Sequence, residues 1–255
     1  MISKENVVET SRINGLKPYQ TEKKYLLLLT LRSIASGYED SLVFKGGTSL
    51  FLFYGLNRFS EDLDFTLTKD ISFKELFAAV SSDLKLIGIE NEYKILSDND
   101  TGFSARIKAR GPLYMNDASS VFIKVDISKR EKVVLKPEPK EINPEFNDIL
   151  PFSVLLMDKR EVLAEKIRAI ITRQKARDVY DAYFLINAGT KIDLDLVNRK
   201  LSYYDIKFSM DEFIKKVKEK ESIWTADLKP FLIGELPAFS QVEKVIVSSF
   251  KTAAT

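Results

Sequence analysis

Two aspartates, Asp62 and Asp64, close the stretch FKGGTSLFLFYGLNRFSEDLDF at residues 44–65. The segment around them reads as a strand. Side chains alternate along a strand, so both carboxylates point to one face while Leu63, Phe65 and Leu67 point to the other. Upstream, Gly46-Gly47-Thr48-Ser49 forms a tight turn that opens a short apolar helix. Such a turn brings backbone N–H groups close to an anion, the helix N-terminus favours negative charge, and the Ser49 hydroxyl adds a donor. A pair of acids beside it suits one or two Mg²⁺ ions, which orient a nucleoside triphosphate and lower the pKa of an attacking hydroxyl. The turn is no P-loop, because the Gly-Lys-[Ser/Thr] ending is missing. Alone, each piece has a plain reading: a tight connection, and a solvent-facing strand whose acids are balanced by Arg58 or Lys45.

Composition narrows the chemistry. The 255 residues include no cysteine, which removes disulfides, thiolate nucleophiles and cysteine-ligated metals. There is no histidine either, which removes Ser-His-Asp triads and imidazole acid–base catalysis. Carboxylates, lysine, arginine, tyrosine, hydroxyls and oxygen-ligated cations remain. The net charge of +2 is too small to imply nucleic-acid binding by itself. No run approaches the roughly 18 apolar residues of a membrane span, and MISKENVVET lacks the apolar region of a secretory signal, so a cytoplasmic location is the default.

Several elements must position these residues. The spacing predicts a buried helix from about Thr21 to Ala35, a brief strand at Leu42–Phe44, and one or two helical turns over Thr48–Tyr54 stopped by Gly55. Ser72 and Glu75 fit a capping box for a helix with Phe73, Leu76, Phe77, Val80 and Leu84 on one stripe, ended at Gly88. FSARIKAR and VFIKVDI alternate as strands, so Asp126 can share one face of a sheet with Asp62 and Asp64. Four of the eight prolines fall between Leu135 and Pro151. That density predicts a connection over 136–157 between domains at 1–135 and 158–255. The second domain reads as helical, with Asp158/Glu161, Ser209/Glu212 and Ser240/Glu243 as capping pairs. Val162, Leu163, Ile167 and Ile170 form the stripe of its first helix, and the next, ARDVYDAYFLINAG, stops at Gly189.

The combination is more specific than its parts. Gly46-Gly47-Thr48-Ser49 followed by Arg58-Phe59-Ser60-Glu61-Asp62-Leu63-Asp64 resembles the signature of the polymerase-beta-like nucleotidyltransferases, and more narrowly the AbiEii/AbiGii toxin family. Lys124-Val125-Asp126-Ile127 with Arg130, Glu165-Lys166-Ile167-Arg168-Ala169, and Arg177-Asp178-Val179-Tyr180-Asp181 agree in order. The resemblance implies an α+β fold, with a nucleotidyltransferase-type mixed sheet and flanking helices before a helical domain that contributes to the active site. It also implies transfer of a nucleoside monophosphate from an NTP, with Gly46, Gly47, Thr48 and Ser49 cradling the triphosphate. Asp62, Asp64 and Asp126 would hold Mg²⁺ or Mn²⁺, with Asp126 also the activator of the acceptor hydroxyl; family members often carry Glu there.

Lys166 lies next to the apolar stripe of its helix, where a lysine is more often a snorkelling surface residue; the resemblance favours a contact to the β/γ-phosphates. Asp178 and Asp181 share a helix face. One is expected to pair with Arg177 or Arg173 and the other, Asp178, to approach the site. Segment 159–177 holds seven Lys/Arg against Glu161 and Glu165. It reads either as a solvated helix surface or, with Arg106, Lys108 and Arg110, as a groove for a polyanion. The resemblance makes RNA such as tRNA a plausible acceptor and a separately encoded antitoxin a plausible partner. Two rival readings are a nucleotide-binding regulatory module without turnover and an enzyme that nucleotidylates a protein hydroxyl.

Overall fold

The computed structural model of the chain describes residues 1–253, with side chains as far as Lys251. Residues 254–255 of the expected helical region lie outside these. The chain divides into two compact units: Met1–Gly55, Phe59–Val133 and Pro137–Leu156 form unit 1, while Leu56–Arg58, Val134–Lys136 and the chain from Met157 onward form unit 2.

In unit 1 the elements run α1 (Lys4–Ile13), α2 (Pro18–Tyr38), β1 (Leu42–Lys45), α3 (Gly46–Tyr54), β2 (Asp62–Leu67), α4 (Phe73–Leu86), β3 (Asn91–Asn99), β4 (Gly102–Ala109), β5 (Val121–Ser128), β6 (Glu138–Ile142) and β7 (Phe152–Leu156). The strands form one sheet in the order β3-β4-β5-β2-β1-β7-β6. β2 runs antiparallel to β1 and parallel to β5, and β1 runs parallel to β7, so the sheet is mixed as expected. Period two decides its faces. Leu63, Phe65, Phe103, Ile107, Ile123 and Val125 point into one core with Tyr25–Leu29 and Leu31 of α2 and the Leu76, Phe77, Val80 and Leu84 stripe of α4. The opposite face keeps the polar members of β2, β4 and β5.

The segment 136–157, read from its prolines as a connection, instead supplies two strands to this sheet. β6 is an edge strand paired only with β7, and Pro139 sits there because an edge position tolerates a missing N–H. β3, at the other edge, is a further strand the sequence did not show; its residues are mostly exposed and carry little apolar alternation. α2 begins at Pro18, a good first helical residue, and ends beyond Gly37.

Unit 2 is helical: α5 (Lys159–Thr172), α6 (Ala176–Asn187), α7 (Leu194–Ser202), α8 (Met210–Lys218), α9 (Trp224–Leu228) and α10 (Phe239–Ala253). Asp158 and Ser209 cap as expected, their side chains accepting from Arg160 N and Glu212 N. Glu161 does not close a capping box: its buried carboxylate accepts from the backbone N–H groups of Val134 and Leu135 and pairs with the fully buried Lys200. Ser240 is no cap either, since α10 starts one residue earlier. Val162, Leu163, Ile167 and Ile170 are buried, and Phe208, Phe213 and Phe250 cluster with ring centroids 4.5–5.8 Å apart. Among the described residues no helix is long and apolar enough to cross a membrane.

Candidate active site

The turn between β1 and α3 carries the first half of the chemistry. α3 starts from Lys45, whose own side chain makes no capping bond to the first turn of the helix. Gly46 has φ +77, and a Cβ built there would meet Asp64 Cγ at 2.7 Å and Cβ at 2.8 Å. Glycine is therefore required twice over, by the backbone and by the carboxylate lying against it. The two hydroxyls have other duties. Thr48 Oγ1 donates to the Asp62 carbonyl and lies 3.0 Å from Ser60 Oγ, and Ser49 Oγ donates to the Gly46 carbonyl at 2.8 Å. Both side chains are buried. Ser49 thus builds the turn rather than offering its hydroxyl to an anion, because its one proton is already engaged.

The acids stand where period two put them. β2 and β5 register Asp64 opposite Asp126 and Asp62 opposite Lys124, so all four side chains share the sheet face away from the core. Asp126 is bound by Lys124 Nζ at 2.7 Å. Burial pushes the Asp62 carboxyl above its ordinary value, with Asp126 and Glu61 adding to the rise against Lys23 and Lys124. Burial pulls Lys124 down, but its bond to Asp126 and the charges of Asp126, Asp62 and Asp64 carry it above its usual value. Lys23 reaches from α2 to Glu61 at 3.0 Å. Lys124 was legible as the residue two before Asp126 on the same strand face. Lys23 had no such signal, since its partner lies 38 residues away.

These residues fit a small hard cation in one particular way. Among the described residues no group of three or more carboxylates is gathered tightly enough to hold a metal alone. Mg²⁺ commonly takes one or two carboxylates and completes its shell with water and substrate phosphates. The pair Asp62 and Asp64, without the expected Asp126, matches that donor set.

The residues expected from the second half of the chain form a cluster within unit 2. Arg58 grips Asp181 with two bonds, Nε to Oδ1 and Nη2 to Oδ2, each 2.7 Å. Arg173 grips Asp178 in the same way at 2.6 and 2.7 Å. Lys166 Nζ joins the two, 3.2 Å from Asp178 and 2.7 Å from Asp181. Burial works against charge on both acids, yet Lys166 with Arg173 for Asp178, and Arg58 with Lys166 for Asp181, hold them below the ordinary carboxylate range. Lys166, expected at the β/γ-phosphates, is buried and ion-paired with both acids. Asp178 and Asp181 are both ion-paired and buried. Arg177 turns to Asp227 at 3.3 Å, and Arg58 balances Asp181 rather than the strand acids. Much of the cationic run 159–177 is engaged inside unit 2: Arg160 pairs with Asp158, and Arg168 lies 4.8 Å over the Tyr204 ring.

Residues 29–253 match the family model described as nucleotidyl transferase AbiEii toxin, type IV toxin–antitoxin system. The chain belongs to this family. It is accordingly a nucleotidyltransferase of the toxin type, from systems that pair such a toxin with a separate antitoxin. The fold agrees with solved structures. MenT4, the nucleotidyltransferase toxin Rv2826c from Mycobacterium tuberculosis H37Rv, is similar over 100% of this chain and 90% of its own, at 18% identity and a TM-score of 0.68. A candidate nucleotidyltransferase from H. pylori matches over 94% and 98%, at 23% identity and 0.63. JHP933 from Helicobacter pylori matches over 92% and 93%, at 24% identity and 0.61. No curated relative matches the AbiEii-family chain.

Proposed function

We propose that this AbiEii-family protein moves a nucleoside monophosphate from an NTP to a hydroxyl of an RNA acceptor, tRNA among the candidates, in the cytoplasm where NTPs are made. The observation that supports it is the Asp64 carboxylate lying directly on Gly46, which joins the metal-type acid pair to the phosphate-type turn. Backbone N–H groups at Gly47, Thr48 and Ser49 hold the triphosphate at the start of α3. Asp62 and Asp64 hold Mg²⁺ or Mn²⁺, whose bound charge offsets that of the phosphates and favours departure of pyrophosphate.

Asp126 accepts the proton of the attacking hydroxyl. Lys124 Nζ holds the Oδ2 of Asp126, and Oδ1 is the oxygen that takes the proton. The acceptor oxygen–Pα bond forms as the bond from Pα to the bridging oxygen breaks, and pyrophosphate carries away the displaced charge. Lys166 Nζ is held by Asp178 and Asp181 and has a third N–H to offer a phosphate, and its part in binding is a separate proposal from that of the β2 acids. For Asp178, the two bonds from Arg173 favour a role in holding cations over one on the substrate.

Purified protein, labelled NTPs, Mg²⁺ and total RNA test the reading. Label should enter RNA with the wild type and fail to with Asp62→Ala or Asp64→Ala. No transfer from any NTP, or equal transfer by the variants, overturns it. Label that survives ribonuclease and migrates with protein assigns the acceptor to a protein hydroxyl instead.

A further inference from the structure

A cavity of about 390 Å³ opens in unit 1 beside the acid strand, and nothing described so far uses it. Tyr19 at the start of α2 and Phe122 on β5 contribute its aromatic walls, while Glu61, the residue before Asp62, lines it together with Lys23. Both rings are exposed, at 50% and 42%, although large apolar side chains ordinarily find cover. The remaining wall is a firmly built loop. The buried Glu22 carboxylate accepts from Leu113 N, and a Cβ on Gly111 would come within 3.0 Å of Glu22 Cγ, so the loop is pressed against α2. Ser120 closes that wall; it is 9% exposed and its buried Oγ has no hydrogen-bond partner among the described residues.

Charge leads away from the cavity in register. Across neighbouring strands the open sheet face sets Asp62 opposite Lys124, Lys124 opposite Arg106, and Arg106 opposite Lys94. Arg106 and Lys94 are exposed, and among the described residues neither makes an ion pair. The Arg106 guanidinium lies 4.8 Å over the Phe122 ring, fixing one face of that ring against a cation. A cavity with two exposed aromatic walls and a row of cations about one strand spacing apart together match a ring stacked at the end of a phosphate chain.

We infer that this cavity is the acceptor subsite, in which the terminal nucleoside of a single-stranded RNA 3′ end stacks on Tyr19 and Phe122 while Arg106 and Lys94 hold its upstream phosphates. The inference rests on the transfer reading and adds the side from which the acceptor enters. The glycine turn flanks β2 on its β1 side, and the cavity and cation row lie on its β5 side. Attacking and leaving oxygens stand roughly in line across the transferred phosphorus, so a triphosphate at the turn leaves the β5 side to the acceptor.

Fluorescence anisotropy with a labelled single-stranded RNA oligonucleotide reads the subsite without turnover. Phe122→Ala and Tyr19→Ala should each weaken binding by at least about fivefold, the low end of what one lost base–aromatic stack costs. Phe122→Tyr should restore it, and Arg106→Gln should flatten the salt dependence. Phe122 is exposed, so its variants should keep the wild-type unfolding midpoint. In the transfer assay, Phe122→Ala should raise KM for the oligonucleotide by a similar factor and leave KM for the NTP unchanged. Wild-type affinity in both alanine variants, or a duplex that binds as well as the single strand, overturns the inference. The two readings fail separately. Transfer that persists in Phe122→Ala with an unchanged acceptor KM sinks the subsite and spares the transferase. Loss of oligonucleotide binding in Phe122→Ala, without transfer to any acceptor in the wild type, does the reverse.

Discussion

Asp62 and Asp64 in unit 1, and Asp178 and Asp181 in unit 2, are the same chemical pair in opposite settings. The first two stand half-buried on an open sheet face, and burial lifts Asp62 above its ordinary pKa. The second two are fully buried, with bidentate arginines on one flank and a shared lysine on the other, and their pKa values are lowered. Burial disfavours the charge on Asp62, a penalty that an incoming cation would relieve. A pair with its cations already in place is a structural joint, costly to break and of little use to a ligand. Motif spacing alone does not separate the two cases; the opposite shifts of Asp62 and Asp178 do.

Substitutions can break that contrast from either side. The largest effect is expected for Asp62→Asn and Asp64→Asn, which should lower the transfer rate by at least about 10²–10³-fold and barely move the unfolding midpoint. Initial rates beside a denaturant curve check both halves of the statement. Asp181→Asn should do the opposite, removing about 3–5 kcal/mol of stability because Arg58 is left buried without its counter-charge. A midpoint within error of the wild type would show that the cluster is not the joint described here. Gly46→Ala joins both columns: about 1–2 kcal/mol from the positive φ, and lost transfer because Asp64 is pushed aside. The smallest effect is in pH. Carboxylates with lowered folded values add stability above the unfolded value near 3.9, and that stability fades as pH falls through the folded values. The gap in unfolding free energy between wild type and Asp178→Asn should therefore be constant from pH 7 to about pH 5 and shrink below about pH 4.

What the sequence showed, and what it hid, follows from range. The β2 acids, the glycine turn, the Gly55 stop and the β4 and β5 strands are coded by neighbours within a few residues, so period and spacing expose them. β7 joins the sheet by parallel pairing with β1 at Phe44 and Leu156, which no local pattern reports, and prolines disguised its partner β6. Arg58 and Asp181 lie 123 residues apart. In the sequence Arg58 looked like the counter-ion of its near neighbours, and only the fold reassigns it. The Ser49 hydroxyl is the reverse case, since its position was legible and its bond to Gly46 was not.

The chain enters unit 2 three times, at 56–58, at 134–136 and from Met157 onward. Neither unit is therefore a contiguous stretch of gene. A fragment ending at Leu156 would carry Arg58 without Asp181, and the N–H groups of Val134 and Leu135 without Glu161; the complementary fragment would begin with those acids unmatched. Dissecting the protein by truncation would thus yield two misfolded pieces rather than two working modules.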